Sequence, residues 1–139
     1  MRIVLDANVV VSGTLSPHGP PGRIVDLAVR GDLHLLYDDR ILAEYREVLA
    51  RPKFDLNPDD VAQVVGQLDR TGEAVSAAPL SVTLEDEDDV PFLEVAVAGA
   101  ADALVTGNAT DFKAVRGSHE VRVISPRELL DEITGDRGR

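Results

Sequence analysis

Arg2-Ile3-Val4-Leu5-Asp6-Ala7-Asn8 decides the fold. An apolar strand begins almost at the first residue and stops on a carboxylate, with an amide two residues later. In an open α/β sheet, ligands lie just outside the carboxyl ends of the strands. Asp6 is therefore delivered to the edge where chemistry takes place. An Asp at a strand end also caps helices and starts turns, so its meaning depends on whether other acids reach the same edge.

Outward from this strand, Val9–Ser12 reads as a short helix or turn and Thr14–Gly22 as a Pro/Gly loop. A helix is expected over Ile24–Arg30, stopped by Gly31, then a strand over Leu33–Tyr37. Asp38 or Asp39 caps a helix running to about Arg51, and Asn57-Pro58-Asp59-Asp60 opens another that ends near Gly72. Ala74–Leu84 has room for a weak strand, followed by the acidic run Glu85-Asp86-Glu87-Asp88-Asp89. A helix over Phe92–Ala101, a strand over Ala103–Thr106 and a helical turn over Ala109–Val115 come next. The last strand is Val121–Ile124, and the capping box Ser125-Pro126-Arg127-Glu128 starts a final helix over Glu128–Ile133. Alternating strands and helices predict an α/β fold, a parallel sheet of four to five strands with helices on both faces. Residues 1–133 form a single domain in this reading, and 134–139 a frayed polar tail.

The chain of 139 residues carries 44% hydrophobic residues, enough for a continuous core. Aromatics are only 4% and Trp is absent, so the core is aliphatic. The absence of cysteine excludes a disulfide framework, a thiolate zinc site and a cysteine nucleophile. No secretory signal pattern and no membrane-length apolar run is visible, which predicts a cytoplasmic protein without a membrane partner. The net charge of −11, from 25 acids and 14 bases, argues against broad phosphate binding. It suits clustered acids that hold a cation, or a basic protein partner.

Glu44 falls on the flank of the helical stripe Ile41, Leu42, Tyr45, Val48 and Leu49. Asp89 precedes Phe92, Leu93, Ala96, Val97 and Ala100 at helical spacing, on the buried face at a helix start; Asp88 competes for this role. In Thr106-Gly107-Asn108-Ala109-Thr110-Asp111, either Asn108 or Asp111 lies at a further strand end. Acids from four elements that meet at one edge repel unless a cation joins them, and an oxygen-only set suits Mg²⁺ or Mn²⁺. Metal-assisted phosphate chemistry follows from such a cluster. A phosphoryl-aspartate mechanism is disfavoured, because Asn8 stands where a second Asp is usual.

With these motifs in order, the chain resembles PIN-domain ribonucleases, most closely the VapC-like toxins of bacterial toxin–antitoxin pairs. The likeness runs through Val4–Gly13, Pro17–Pro21, Ile41–Phe54, Asp88–Ala96, Ala101–Asn108 and Ile124–Pro126. It implies a three-layer α/β/α fold and a Mg²⁺- or Mn²⁺-dependent endoribonuclease. The family's acids fall on Asp6, Glu44 and Asp89, with Asp6 and Asp89 holding the ion and Asn8, Thr106 and Asn108 supporting them. Many members carry Asp where this chain has Asn108, and Asp111 is the residue that would substitute. The implied partners are RNA, a cognate antitoxin and a second copy in a homodimer. Arg40, Arg46, Arg51 and Lys53 are candidates to guide RNA phosphates or plain surface charges; His18, His34 and His119 are given no catalytic role. A processing nuclease and a non-cleaving binding module on the same scaffold are the alternatives.

Overall fold

The computed structural model describes residues 1–81, 84, 86–108, 112 and 121–137. Strand β1 (Arg2–Leu5) is followed by α1 (Ala7–Leu15), α2 (Pro20–Val29), β2 (His34–Tyr37), α3 (Asp39–Leu49) and α4 (Pro58–Thr71). The chain continues through β3 (Glu73–Ala74), α5 (Val90–Ala98), β4 (Ala103–Val105), β5 (Arg122–Ile124) and α6 (Pro126–Arg137). All strand pairs are parallel, in the order β3-β2-β1-β4-β5. The expected α/β class and parallel sheet are what the chain adopts.

Parallel strands covered on both faces read as unbroken apolar runs. Ile3, Val4 and Leu5 of β1 and Ala103, Leu104 and Val105 of β4 are all fully buried. The register places Leu5 beside Val105, and Val105 beside Ile124, so three strands end together. From β1 the chain moves to β2 and then β3 on one side, but β4 and β5 lie on the other. The direction of travel reverses between β1 and β4, and such a reversal opens a crevice at the carboxyl edge. Right-handed crossovers put α1–α4 on one face and α5 on the other. Accordingly α1 packs on α2 and α3, whereas α5 packs on β1, β2 and β4.

Local chemistry explains most boundaries. Asp38 accepts the Ile41 N–H at 3.1 Å and starts α3; Asn57 accepts the Asp59 N–H at 2.8 Å and starts α4. The Ser125/Glu128 capping box closes reciprocally, at 3.1 Å each way.

Several boundaries differ from the sequence expectation. The first helix extends over Ala7–Leu15 and α2 begins at Pro20, inside the expected loop. Prolines suit a first helical turn as well as a loop, because the missing N–H has no intrahelical role there. Glycines let these two helices approach closely: a Cβ on Gly22 would lie 2.2 Å from the Pro17 carbonyl oxygen, and one on Gly13 2.7 Å from Val25 Cγ2. The fifth strand is only Glu73–Ala74, at the front of the stretch expected to hold it. The final helix runs to Arg137 rather than ending at Ile133. The turn expected over Ala109–Val115 lies outside the described residues, apart from the buried Phe112.

Candidate active site

Asp6 sits in extended backbone at the junction of β1 and α1, only 4% exposed. Its N–H donates to the Val105 carbonyl at 2.9 Å, which extends the β1–β4 ladder by one step. Across that step Thr106, also buried, donates its hydroxyl to Asp6 Oδ2 at 2.7 Å. Asn8 Nδ2 donates to the same oxygen at 3.2 Å, and Asn8 Oδ1 accepts the Gly107 N–H at 3.1 Å. The Asn108 N–H closes the web on Thr106 Oγ1 at 3.1 Å. Thus Asn8, Thr106 and Asn108 all act on one carboxylate, Asn108 through its backbone. Donors aimed at a buried carboxylate fix its orientation.

Glu44 reaches the same region from α3. Its neighbour Tyr45 is fully buried and donates its hydroxyl to the Leu5 carbonyl at 2.6 Å, one residue before Asp6. This bond pins α3 to the end of β1. Burial raises the Tyr45 phenol well above its ordinary range, and the Asp6 charge adds to the effect. The Tyr45 ring meets Phe92 of α5 at 6.2 Å between centroids, so one aromatic contact joins the helices that carry Glu44 and Asp89. Burial, followed by the charges of Glu47 and Asp88, pushes the Glu44 carboxyl up; Arg51 opposes the shift and Asp86 adds to it.

Asp89 caps α5 and is 7% exposed. The preceding residues fold into a single 3-10 turn, Glu87–Asp89. Asp86 starts it by accepting the Asp88 N–H on its side chain at 2.9 Å and the Asp89 N–H on its carbonyl at 3.1 Å. In the sequence Asp86 is one acid in a run of five, with nothing to single it out. The turn brings it, with Asp88, to the wall of the cleft that Asp6, Glu44 and Asp89 line. No single-residue pattern signals this, because the turn is built from side-chain bonds within the run.

The cleft has a volume of about 440 Å³. Its apolar wall is Val11, Leu15, Val48 and Phe54, and Arg51 is the cation lining it among the described residues. All its acidic donors are oxygens, the set preferred by hard divalent ions. Among the described residues no three acidic, histidine or cysteine side chains converge as a ready-made cage. Mg²⁺ does not demand one, since it keeps several waters and takes one or two carboxylates. Asp111 and His119 lie outside the described residues. His18 lines a separate concavity between α2 and α6, and His34 pairs with Glu73 at the opposite edge of the sheet. Arg40 is committed to Asp38 at 2.8 Å and to the buried Glu94 at 2.7 Å, which removes it from the phosphate-guiding set.

The PIN domain family model matches residues 2–110. The chain belongs to the PIN domain family. PIN domains are generally nucleases, and Asp6, Glu44, Asp89, Thr106 and Asn108 all fall within the matched span. This PIN domain is 22% identical to an uncharacterized protein of Methanocaldococcus jannaschii, over 96% of this chain and 92% of that relative. Its fold is similar to a chain in the crystal structure of VapBC2 from Rickettsia felis bound to a DNA fragment from their promoter. The TM-score is 0.59 at 15% identity, over 90% of this chain and 98% of that one. Among the described residues no helix is long and apolar enough to cross a membrane.

Proposed function

We propose that this PIN domain is a Mg²⁺- or Mn²⁺-dependent endoribonuclease and the toxin of a toxin–antitoxin pair. The observation that carries the reading is the cleft at the β1/β4 reversal, where Asp6, Glu44, Asp88 and Asp89 from three elements face one space. Asp6 and Asp89 would hold the ion, and Asp111 is the further acid expected from the sequence. The ion would supply charge neutralisation at the phosphodiester and a more acidic bound water.

The chain's own groups have distinct tasks. Thr106 and Asn8 hold the Asp6 carboxylate in one orientation. Glu44, with its proton affinity raised by burial and neighbouring acids, suits a base that takes a proton from the attacking water. As water oxygen bonds to phosphorus, the ester P–O bond breaks on the opposite side. Likeness to the VapBC2 structure supports an antitoxin partner, and the −11 charge favours a basic segment in that partner. A homodimer and a cytoplasmic location belong to the same reading.

A second reading, a PIN domain that binds RNA or a partner without cleavage, is favoured by the uncharged Asn108. One experiment separates the two. Purified protein is incubated with a mixed pool of structured RNAs in Mg²⁺, Mn²⁺ or EDTA, beside Asp6→Asn. Metal-dependent cleavage that disappears in the variant supports the nuclease. No cleavage by folded protein under any metal transfers the function to binding. Toxin identity is checked by growth arrest on expression and rescue by the product of the adjacent reading frame.

A further inference from the structure

The cleft carries two kinds of chemistry. Asp6, Glu44 and Asp89 bring carboxylates to it; Arg51 and Phe54, from the strap Arg51-Pro52-Lys53-Phe54 that follows α3, bring a cation and an aromatic ring. Pro52 starts a single 3-10 turn over Pro52–Phe54. Asp55 then adopts the left-handed conformation, φ 48°, and reverses the chain. The reversal leaves both Arg51 and Phe54 lining the cleft.

Phe54 is exceptional among the aromatic residues. The chain has three Phe, two Tyr and no Trp. Tyr45, Phe92 and Phe112 are at most 1% exposed and Tyr37 is 5% exposed. Phe54 alone of the five is half-buried, and its open surface faces the cleft. The Lys53 ammonium lies over one face of the Phe54 ring, 5.1 Å from its centroid, so a stacked base takes the other face or displaces this cation. Arg51 has its nearest described acid, Glu47, at 3.9 Å, beyond hydrogen-bond reach. Unlike Arg40, it keeps its guanidinium donors for another ligand.

We infer that the strap is a nucleotide subsite, in which Phe54 stacks on a base while Arg51 holds the adjoining phosphate. The inference rests on the reading of the cleft as an RNA site. It follows from the pairing of a π-face with a bidentate cation, the two groups that unpaired nucleic acid uses when no base edge is read. It also answers an electrostatic problem. A polyanion that enters a cleft rich in carboxylates needs favourable charge, and Arg51 on the cleft lining, with Lys53 next to Phe54, provides it.

The test is fluorescence anisotropy with the full chain in Ca²⁺, using a labelled decaadenylate and a labelled abasic decamer of the same backbone. A gel run alongside shows that the oligonucleotides stay intact. Phe54→Ala is expected to weaken decaadenylate binding about tenfold, to leave the abasic decamer unchanged, and to be rescued by Phe54→Trp. Arg51→Gln is expected to weaken both oligonucleotides alike and to flatten the salt dependence by about 0.7 in slope. Thermal melts verify folding, with Phe54→Leu as the substitute if the alanine variant is unfolded. The inference is overturned if Phe54→Ala binds decaadenylate like wild type, if it loses the abasic decamer equally, or if wild type binds neither. Stacking-dependent binding without cleavage in Mg²⁺ or Mn²⁺ would instead leave the subsite standing and remove the nuclease proposal.

Discussion

Thr106 carries more of the candidate site than its size suggests. Its hydroxyl donates to Asp6 and accepts from the Asn108 N–H, while its methyl group occupies buried space. Thr106→Val preserves the shape and removes both bonds. Metal affinity measured by calorimetry is expected to fall about 10- to 100-fold, the usual cost of losing a group that orients a ligand; wild-type affinity would show that Asp6 holds its orientation unaided. Tyr37, at the end of the neighbouring strand β2, offers a test at the same scale. Its hydroxyl donates to the Asp69 carbonyl at 2.8 Å and carboxylate at 2.5 Å. Burial, together with Asp69, pushes its pKa up to about 12. The folded value lies above the ordinary 10, so this contribution to stability is intact below pH 10 and is lost as pH rises toward 12. Tyr45 is raised too, so absorbance at 295 nm should show neither tyrosine ionised in the native protein at pH 10.5. Half-ionisation there in folded protein would contradict the geometry.

Helix α3 lines the cleft with Glu44 and Val48, and α5 starts beside it at Asp89; the two helices are joined twice. The Tyr45–Phe92 contact is one join; Arg40 to Glu94 is the other. Glu94 is 5% exposed and also accepts the Leu80 N–H at 2.8 Å, which ties the segment leading to the acidic turn. Removing one member of a buried ion pair costs about 3–5 kcal/mol. The Arg40 side chain is 48% exposed, so water compensates much of the loss. Glu94→Gln, which can still accept from Leu80, should cost about 1–2 kcal/mol in urea unfolding, and an unchanged midpoint would mean the pair contributes nothing. This scale also separates what sequence reveals from what it hides. Asp6, Glu44 and Asp89 are legible because a strand end, a helix flank and an apolar i+3/i+4 pattern are local properties. The Thr106–Asp6 bond spans 100 residues and exists because β4 lies beside β1, an adjacency no local pattern encodes. Asp86 escaped because its position depends on a turn held by its own side chain. The start of α2 was missed because Pro20-Pro21-Gly22 fits a loop and a tightly packed first turn equally well.

For the whole molecule, the proposed metal binding is coupled to charge. A net charge of −11 and several carboxylates around one cleft make the empty protein self-repelling there. Any ion that binds the folded site and not the unfolded chain adds stability, about 2.7 kcal/mol at 100 times its Kd. Saturating Mg²⁺ should therefore raise Tm by roughly 8 °C over NaCl of equal ionic strength. Asp6→Asn should lose most of that gain, and an equal gain in the variant would place the ion elsewhere.

The order of strands has a consequence for biosynthesis. On the ribosome, β1 emerges first and pairs with β2 soon after, but its other edge waits for β4, about a hundred residues later. Until then Asp6 lacks the Thr106 hydroxyl that orients it. The carboxyl edge is therefore complete only after β4 has joined β1, and the proposed activity waits on that pairing.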